Sequence, residues 1–331
     1  VVGPLDVSTR MPVGPEAEQL ASVFGRGEPV SLTRVARGAL GAVYRLESVL
    51  DGKPAVTAVK ELYWEIPTEA QADREVAFTR ACRQAGVATS TALPTQDGRW
   101  LAVDDEARTW RAYRWHDGRT PDWDDIPAAV WMAQQVAVIH RLDWHPGGGD
   151  PRVAAHWYER VDVDWDGLLG PHRREPWCEP ITARLAELVA STEFVNQVPS
   201  GPAIWCHRDL NPKNVIIDGP TRHLVDWDNA GPLDPVRDLA EVFMHVLHRV
   251  DHLPAVYAAY LDAGGPVRIT GPESLVTGPV IYLNFLRSQV DVLSQPDTDP
   301  IHRDFALEAV ANSLAGPWTV ADVEAAALVL G

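Results

Sequence analysis

Apolar positions between residues 31 and 115 come in short runs broken by glycine. Residues 32–36 alternate loosely, Arg37-Gly38-Ala39-Leu40-Gly41 interrupts, and residues 42–46 resume, which predicts strand, glycine turn, strand. Asp51-Gly52 predicts a second turn, and residues 55–60 a third strand ending at Lys60. Residues 69–84 contain no Gly or Pro and are rich in Ala, Glu, Arg and Gln, so a helix is expected that stops at Gly86. Strands at 100–103 and 109–115 follow, with turns at Asp97-Gly98 and Asp117-Gly118. Beyond this the spacing becomes helical. Val130, Ala133, Val136, Ala137 and Ile139 mark a helix over 127–142. Gly147-Gly148-Gly149 predicts a flexible break. Helices are expected at 181–189, 238–250, 253–263, 280–293, 302–314 and 320–330, and a small hairpin at 215–217 and 224–225 around Asp218-Gly219-Pro220. A helix at 16–24 opens the chain. The fold class is therefore α+β: a lead-in or cap (1–30), an antiparallel-sheet part (31–115) and a helical part (116–331).

Composition narrows what this fold serves. A chain of 331 residues is long for one core, which favours two lobes. Hydrophobic residues make up 46% and charged residues 23%, as in ordinary folded proteins. The formal charge of −17 repels polyphosphate backbones, so no nucleic-acid partner is expected. It also requires any nucleotide site to be locally basic or metal-loaded. No run of 18 apolar residues predicts a membrane span, and the N-terminus lacks a secretory pattern. Three widely spaced cysteines suit a reducing cytoplasm. The expected assembly is a monomer or weak dimer. The 13 tryptophans read mainly as core aromatics, with one or two free to stack on a ligand.

The strongest chemical signal is Trp205-Cys206-His207-Arg208-Asp209-Leu210-Asn211-Pro212-Lys213-Asn214. It matches H-R-D-L-x-x-x-N, the catalytic-loop pattern of protein kinases and their small-molecule relatives. Phosphoryl transfer needs a carboxylate beside the accepting hydroxyl, and Asp209 is that candidate. Asn214 is a candidate Mg2+ ligand through its amide oxygen, and Asp226, after the next strand, is the second. Asp228 reads as a surface charge. Asp234-Pro235-Val236-Arg237-Asp238-Leu239-Ala240 resembles the G-D-P-x-x-D-L-A segment of aminoglycoside phosphotransferases, which implies that Asp238 caps its helix and braces the loop.

The sheet part is expected to clamp ATP. Lys60 ends its strand, and Glu75 on the following helix is its expected partner, with Glu69 the alternative. Gly38 and Gly41 form a reduced glycine-rich loop, and no G-x-x-x-x-G-K-[ST] occurs. Arg114 and His116 are candidates for adenine contact through their main chain.

Together these residues resemble the aminoglycoside phosphotransferase and maltokinase-like superfamily, which shares the protein-kinase fold; the likeness runs from about residue 31 to 315. It implies a bilobal enzyme binding ATP and Mg2+ between the lobes, with a small-molecule acceptor held by the helical lobe. Only 12 residues separate Asp226 from Asp238, which leaves no room for a peptide-docking activation segment. Asp-Trp-Asp at 226–228 also departs from D-F-G. Tyr282-Leu283-Asn284-Phe285-Leu286-Arg287-Ser288-Gln289-Val290-Asp291 and the tryptophan content resemble actinobacterial glucosamine kinases, which implies glucosamine 6-phosphorylation. The candidate acceptor residues are Asp209, Trp205, Trp227, Arg287, Gln289, Asp291 and Glu308. The competing expectations are an antibiotic phosphotransferase and a catalytically dead binding protein.

Overall fold

A computed structural model of the chain describes residues 14–64, 66–145, 154–316 and 318–331. The glycine run at 147–149 lies outside the described residues, as do residues 1–13. Two compact units emerge. One holds residues 14–119 together with Ile216–Asp228; the other holds Thr120–His145, 154–215 and Asn229–Gly331.

The first unit is built on an antiparallel sheet. Its strands are β1 (Glu28–Arg37), β2 (Gly41–Leu50), β3 (Lys53–Leu62), β4 (Ala92–Leu93), β5 (Ala102–Val103) and β6 (Thr109–Arg114), ordered β1-β2-β3-β6-β4 with β5 also on β6. Helix α1 (Pro15–Val23) is part of its core: Ala17, Leu20, Ala21 and Phe24 pack on Leu32, Leu46, Val59 and Trp110. Helix α2 (Glu69–Gln84) starts at a capping box, where Thr68 and Gln71 satisfy each other's backbone amides. The hairpin β8 (Val215–Asp218) and β9 (Thr221–Leu224) also clusters largely with this unit, whereas the sequence division at 115/116 put it with the helices. The reason is pairing: Leu224 bridges Thr89, and Ile217 bridges Arg119.

The second unit is mainly helical. It contains α3 (Ile126–His140), α4 (His156–Glu159), α5 (Trp165–Leu169), α6 (Cys178–Thr182), α7 (Leu185–Asn196), α8 (Pro235–Met244), α9 (Leu253–Asp262), α10 (Thr277–Ser294), α11 (Pro300–Ala315) and α12 (Val320–Leu330). A short ladder joins β7 (Ile204–Cys206) to β10 (Gly231–Leu233). Periodicity missed these strands because three residues are too few to show alternation. Its core centres on α10, where Val280, Leu283, Leu286 and Val290 meet Ile181, Leu188 and Val310. Among the described residues, no single helix is long and apolar enough to cross a membrane. Only Trp110, Trp165, Trp177 and Trp227 of the 13 tryptophans are buried; the others are half-buried or, like Trp64 and Trp123, exposed, so the expectation of mainly core aromatics holds for a minority.

Candidate active site

The loop carrying Asp209 leaves β7 and is held from below by α8. Asp234 caps that helix, its side chain accepting from the Val236 amide. The expected cap, Asp238, is instead one turn inside and fully buried. There its Oδ1 accepts from the Arg208 amide at 2.8 Å and its Oδ2 meets His140 Nε2 at 3.1 Å, while His140 Nδ1 meets the Tyr260 hydroxyl at 2.9 Å. The bracing role thus stands on geometry and the capping role moves to Asp234. Arg208 adopts φ +63°, a left-handed conformation costly for a side chain with a Cβ. Its guanidinium donates to the carbonyls of Asn229 (2.6 Å) and Pro232 (3.4 Å) and lies over the Tyr158 ring at 4.8 Å, which holds the turn closed.

This bracing presents Asp209. Its Oδ1 accepts from Asn211 Nδ2 at 2.7 Å, and its backbone amide donates to His207 Nδ1 at 3.2 Å. Asn214 donates through Nδ2 to the Asp209 carbonyl at 2.9 Å. That bond fixes the amide orientation and turns Oδ1, the atom a hard cation takes, away from the loop. Sequence reasoning missed Asn211, which lies inside the quoted motif at an unspecified position. It also missed Glu241 on α8. This carboxyl is buried, with Oε2 lacking a partner among the described residues. Burial first, then the charge of Asp209, pushes it well above the usual carboxylate range, against a hydrogen bond from the Leu210 backbone. That shift favours the protonated form of Glu241 beneath the Asp209 loop.

The sheet unit carries the cationic part. In the antiparallel register Lys60 lies directly opposite Arg111, so two cations share one face of the sheet. Three carboxylates answer them. Lys60 Nζ meets Asp226 Oδ1 at 2.6 Å and Asp228 Oδ2 at 3.0 Å. Arg111 forks onto Glu75 (2.5 and 3.1 Å) and reaches Asp228 Oδ1 at 2.7 Å, where the Tyr113 hydroxyl also donates at 3.1 Å. Burial alone would lower the Lys60 pKa, but Asp226 and Asp228 outweigh it and the net shift is upward.

Two expectations are corrected here. Glu75 pairs with Arg111, not Lys60, because the register places Arg111 on the same face; Glu69 accepts from the Trp100 amide instead. Asp228 is no surface charge, since its side chain is only 3% exposed and joins both cations. Asp226 differs: its side chain is 32% exposed and it takes φ +60°, the second strained position in the chemistry-bearing segments.

The glycine turn joins β1 and β2. Gly38 donates its amide to the Gly41 carbonyl at 2.9 Å. A Cβ at Gly41 would stand 2.1 Å from the Glu61 carbonyl, so this glycine is required by the approach of β3. The Arg114 amide is engaged by the Thr91 carbonyl at 2.8 Å, and its carbonyl accepts from Ser90 Oγ at 3.1 Å. Its amide is therefore unavailable to adenine. The His116 ring stacks on His223.

The acceptor candidates separate. Trp227 is buried in the sheet unit, against Phe78 and with Nε1 on the Leu224 carbonyl, and cannot face a sugar. Trp205 is half-buried, edge-on to Trp144 at 4.8 Å. On α10, Gln289 is buried with Nε2 on Ser288 Oγ, while Arg287 and Asp291 pair at 3.4 Å on the exposed side. Glu308 is exposed on α11. No hydrogen bond or ion pair joins Glu308 to those three among the described residues.

Comparison with known proteins agrees with this chemistry. No curated protein matches the sequence significantly. By fold, the chain is similar to a spectinomycin phosphotransferase solved with ADP and spectinomycin: 12% identity, TM-score 0.69, covering 97% of this chain and 100% of that one. It is similar too to an amicoumacin kinase solved with AMP-PNP and Ca2+ (13%, 0.60, 92% and 93%) and to a microcompartment-associated aminopropanol kinase (17%, 0.58, 91% and 94%). These likenesses establish a protein-kinase-like α+β fold. A family model described as the phosphotransferase enzyme family (APH) matches residues 31–275, and the chain belongs to that family.

Proposed function

We propose that the chain transfers the γ-phosphoryl group of ATP to a hydroxyl of a small molecule, with a cationic amino sugar, glucosamine first, as the acceptor. The supporting observation is the held carboxylate of Asp209, fixed by Asn211 on a loop that Asp238 braces. In the reaction the acceptor oxygen bonds to the γ-phosphorus, the bond from that phosphorus to the β,γ-bridging oxygen breaks, and ADP leaves. Asp209 orients the hydroxyl and takes its proton.

The oxygen donors suit Mg2+. Asn214 offers an amide oxygen and Asp226 a partly exposed carboxylate, the hard ligands this ion accepts alongside phosphate and water. When bound, the ion neutralises charge building on the phosphates. Lys60 has two carboxylate partners, so Asp228 can hold it while its ammonium also meets phosphate oxygens. Arg111 and Glu75 position Asp228 rather than touching nucleotide.

The acceptor reading draws on the charge of −17, which favours a cation, and on Trp205 as a partly open aromatic face. Of the α10 candidates, Asp291 and Arg287 remain accessible. The three cysteines are free and buried, in keeping with the cytoplasm. ADP release with glucosamine, maltose, choline and kanamycin tests the reading. Release with glucosamine supports it. Release with kanamycin alone moves the acceptor to an antibiotic, and release with none while ATP binds contradicts turnover altogether.

A further inference from the structure

We propose that the side chains of His116, His223 and Asp218 form a binding site for a divalent transition-metal ion of the Zn2+ class, using none of the side chains assigned to phosphoryl transfer. One donor atom from each residue lies within 4.8 Å of the others. The two imidazoles stack with centroids 3.8 Å apart and planes at 27°. His116 Nε2 is shut off from solvent and has no hydrogen-bond partner among the described residues. A buried ring nitrogen in that position calls for a donor or a cation.

The backbone builds the arrangement. Arg119 and Ile217 exchange both amide bonds, at 3.1 and 2.8 Å, which pins the segment after β6 to β8. Gly118 permits the approach, because a Cβ there would stand 2.4 Å from the Ile217 carbonyl. Asp218 ends β8 and His223 lies on β9, across a turn in which Gly219 takes φ +55°. All three residues belong to the sheet unit.

Two imidazoles and one carboxylate are a nitrogen-rich set that Zn2+ accepts and Mg2+ does not favour. Tetrahedral Zn2+ holds its donors about 3.3 Å apart and takes each imidazole in its ring plane, so the two rings must unstack, their centroids opening to about 5 Å, as the donors converge and leave a fourth position for water. Burial, helped at His116 by the neighbouring His223 and at both rings by Arg114, holds both histidines below their usual range despite Asp218, which favours the neutral, ligating form. An ion there would staple the end of β6 to the β8–β9 hairpin.

The test is a Co2+ titration of the full chain in millimolar Mg2+, which masks oxygen-only sites. The expected result is one equivalent of Co2+ with the visible absorption of a nitrogen-ligated tetrahedral ion, displaced by Zn2+. His116→Asn and His223→Asn should each weaken binding at least about tenfold, while His145→Asn, an exposed histidine elsewhere, should not. Zn2+ should also raise the melting temperature of the parent chain. Absence of the Co2+ band, or a band and a thermal shift that both survive the two histidine substitutions, would overturn the proposal.

Discussion

In the sheet unit five ionised side chains hold one another: Lys60 and Arg111 against Glu75, Asp226 and Asp228. Around Asp209 the holding is done mostly by hydrogen bonds to amides and backbone, with buried Asp238 accepting from the Arg208 amide and the Arg208 guanidinium closing the turn on two carbonyls. The first arrangement is costly to break at its buried members, because removing Arg111 or Asp228 leaves charge unpaired in a low-dielectric interior. The second fails more gently, because each removal costs a hydrogen bond and some orientation. The placement fits the chemistry. In the proposed reaction the ionic cluster would meet phosphates and a cation, while hydrogen bonds would hold the carboxylate that takes the proton.

The contrast can be broken in graded steps. Arg111→Met should have the largest effect on folding. It strands buried Glu75 and leaves Asp228 only Lys60 and the Tyr113 hydroxyl, and urea denaturation should show a loss of about 3–5 kcal/mol. A loss below about 1 kcal/mol would mean that the buried cluster is not held by charge pairing. Asp238→Ala removes an acceptor from the Arg208 amide and from His140, so the same measurement should read about 2–3 kcal/mol, with turnover falling as the loop relaxes. Asn211→Ala leaves Asp209 in place but free to rotate. It should lower kcat about tenfold with little change in melting temperature, and an equal fall in both would make Asn211 merely structural.

Glu241→Gln should have the smallest effect, and a pH-dependent one. Burial raises the folded-state pKa of Glu241, whereas the unfolded chain ionises it in the ordinary carboxylate range, near pH 4.3. Above that pH the folded state binds the extra proton, so stability from this group falls as pH rises toward the raised folded value. The variant lacks that loss. Its melting temperature relative to the parent should therefore climb from pH 4 to pH 8. A constant difference would place an ionised Glu241 under the loop.

The same contrast explains what could be read in advance. Asp209 and Asn214 sit in one contiguous motif, and Asp226 follows it by a short hairpin, so local sequence was enough to nominate them. The sheet, α2 and most long helices were legible from period and turn residues. The ionic cluster was not, because its members meet through strand register: Arg111 lies 36 positions from Glu75 and 117 from Asp228. The available signal was an arginine within a strand whose residues 109–112 are all buried. Trp227 looked like a sugar platform only because it neighbours Asp226 in sequence; β9 ends at Leu224, and beyond the left-handed turn at Asp226 the Trp227 ring packs on Phe78. Gln289 was noticed as a polar intrusion on an apolar helix face, and its partner proved to be Ser288.

The most direct trial is Asp209→Ala, with ATP binding and turnover measured on the same preparation. The carboxylate is held by neighbours that do not need it for folding, so nucleotide affinity and melting temperature should stay near the parent values while kcat drops by about 10³-fold or more. Turnover within about tenfold of the parent, with binding unchanged, would remove Asp209 from the proton's path and with it the proposed chemistry.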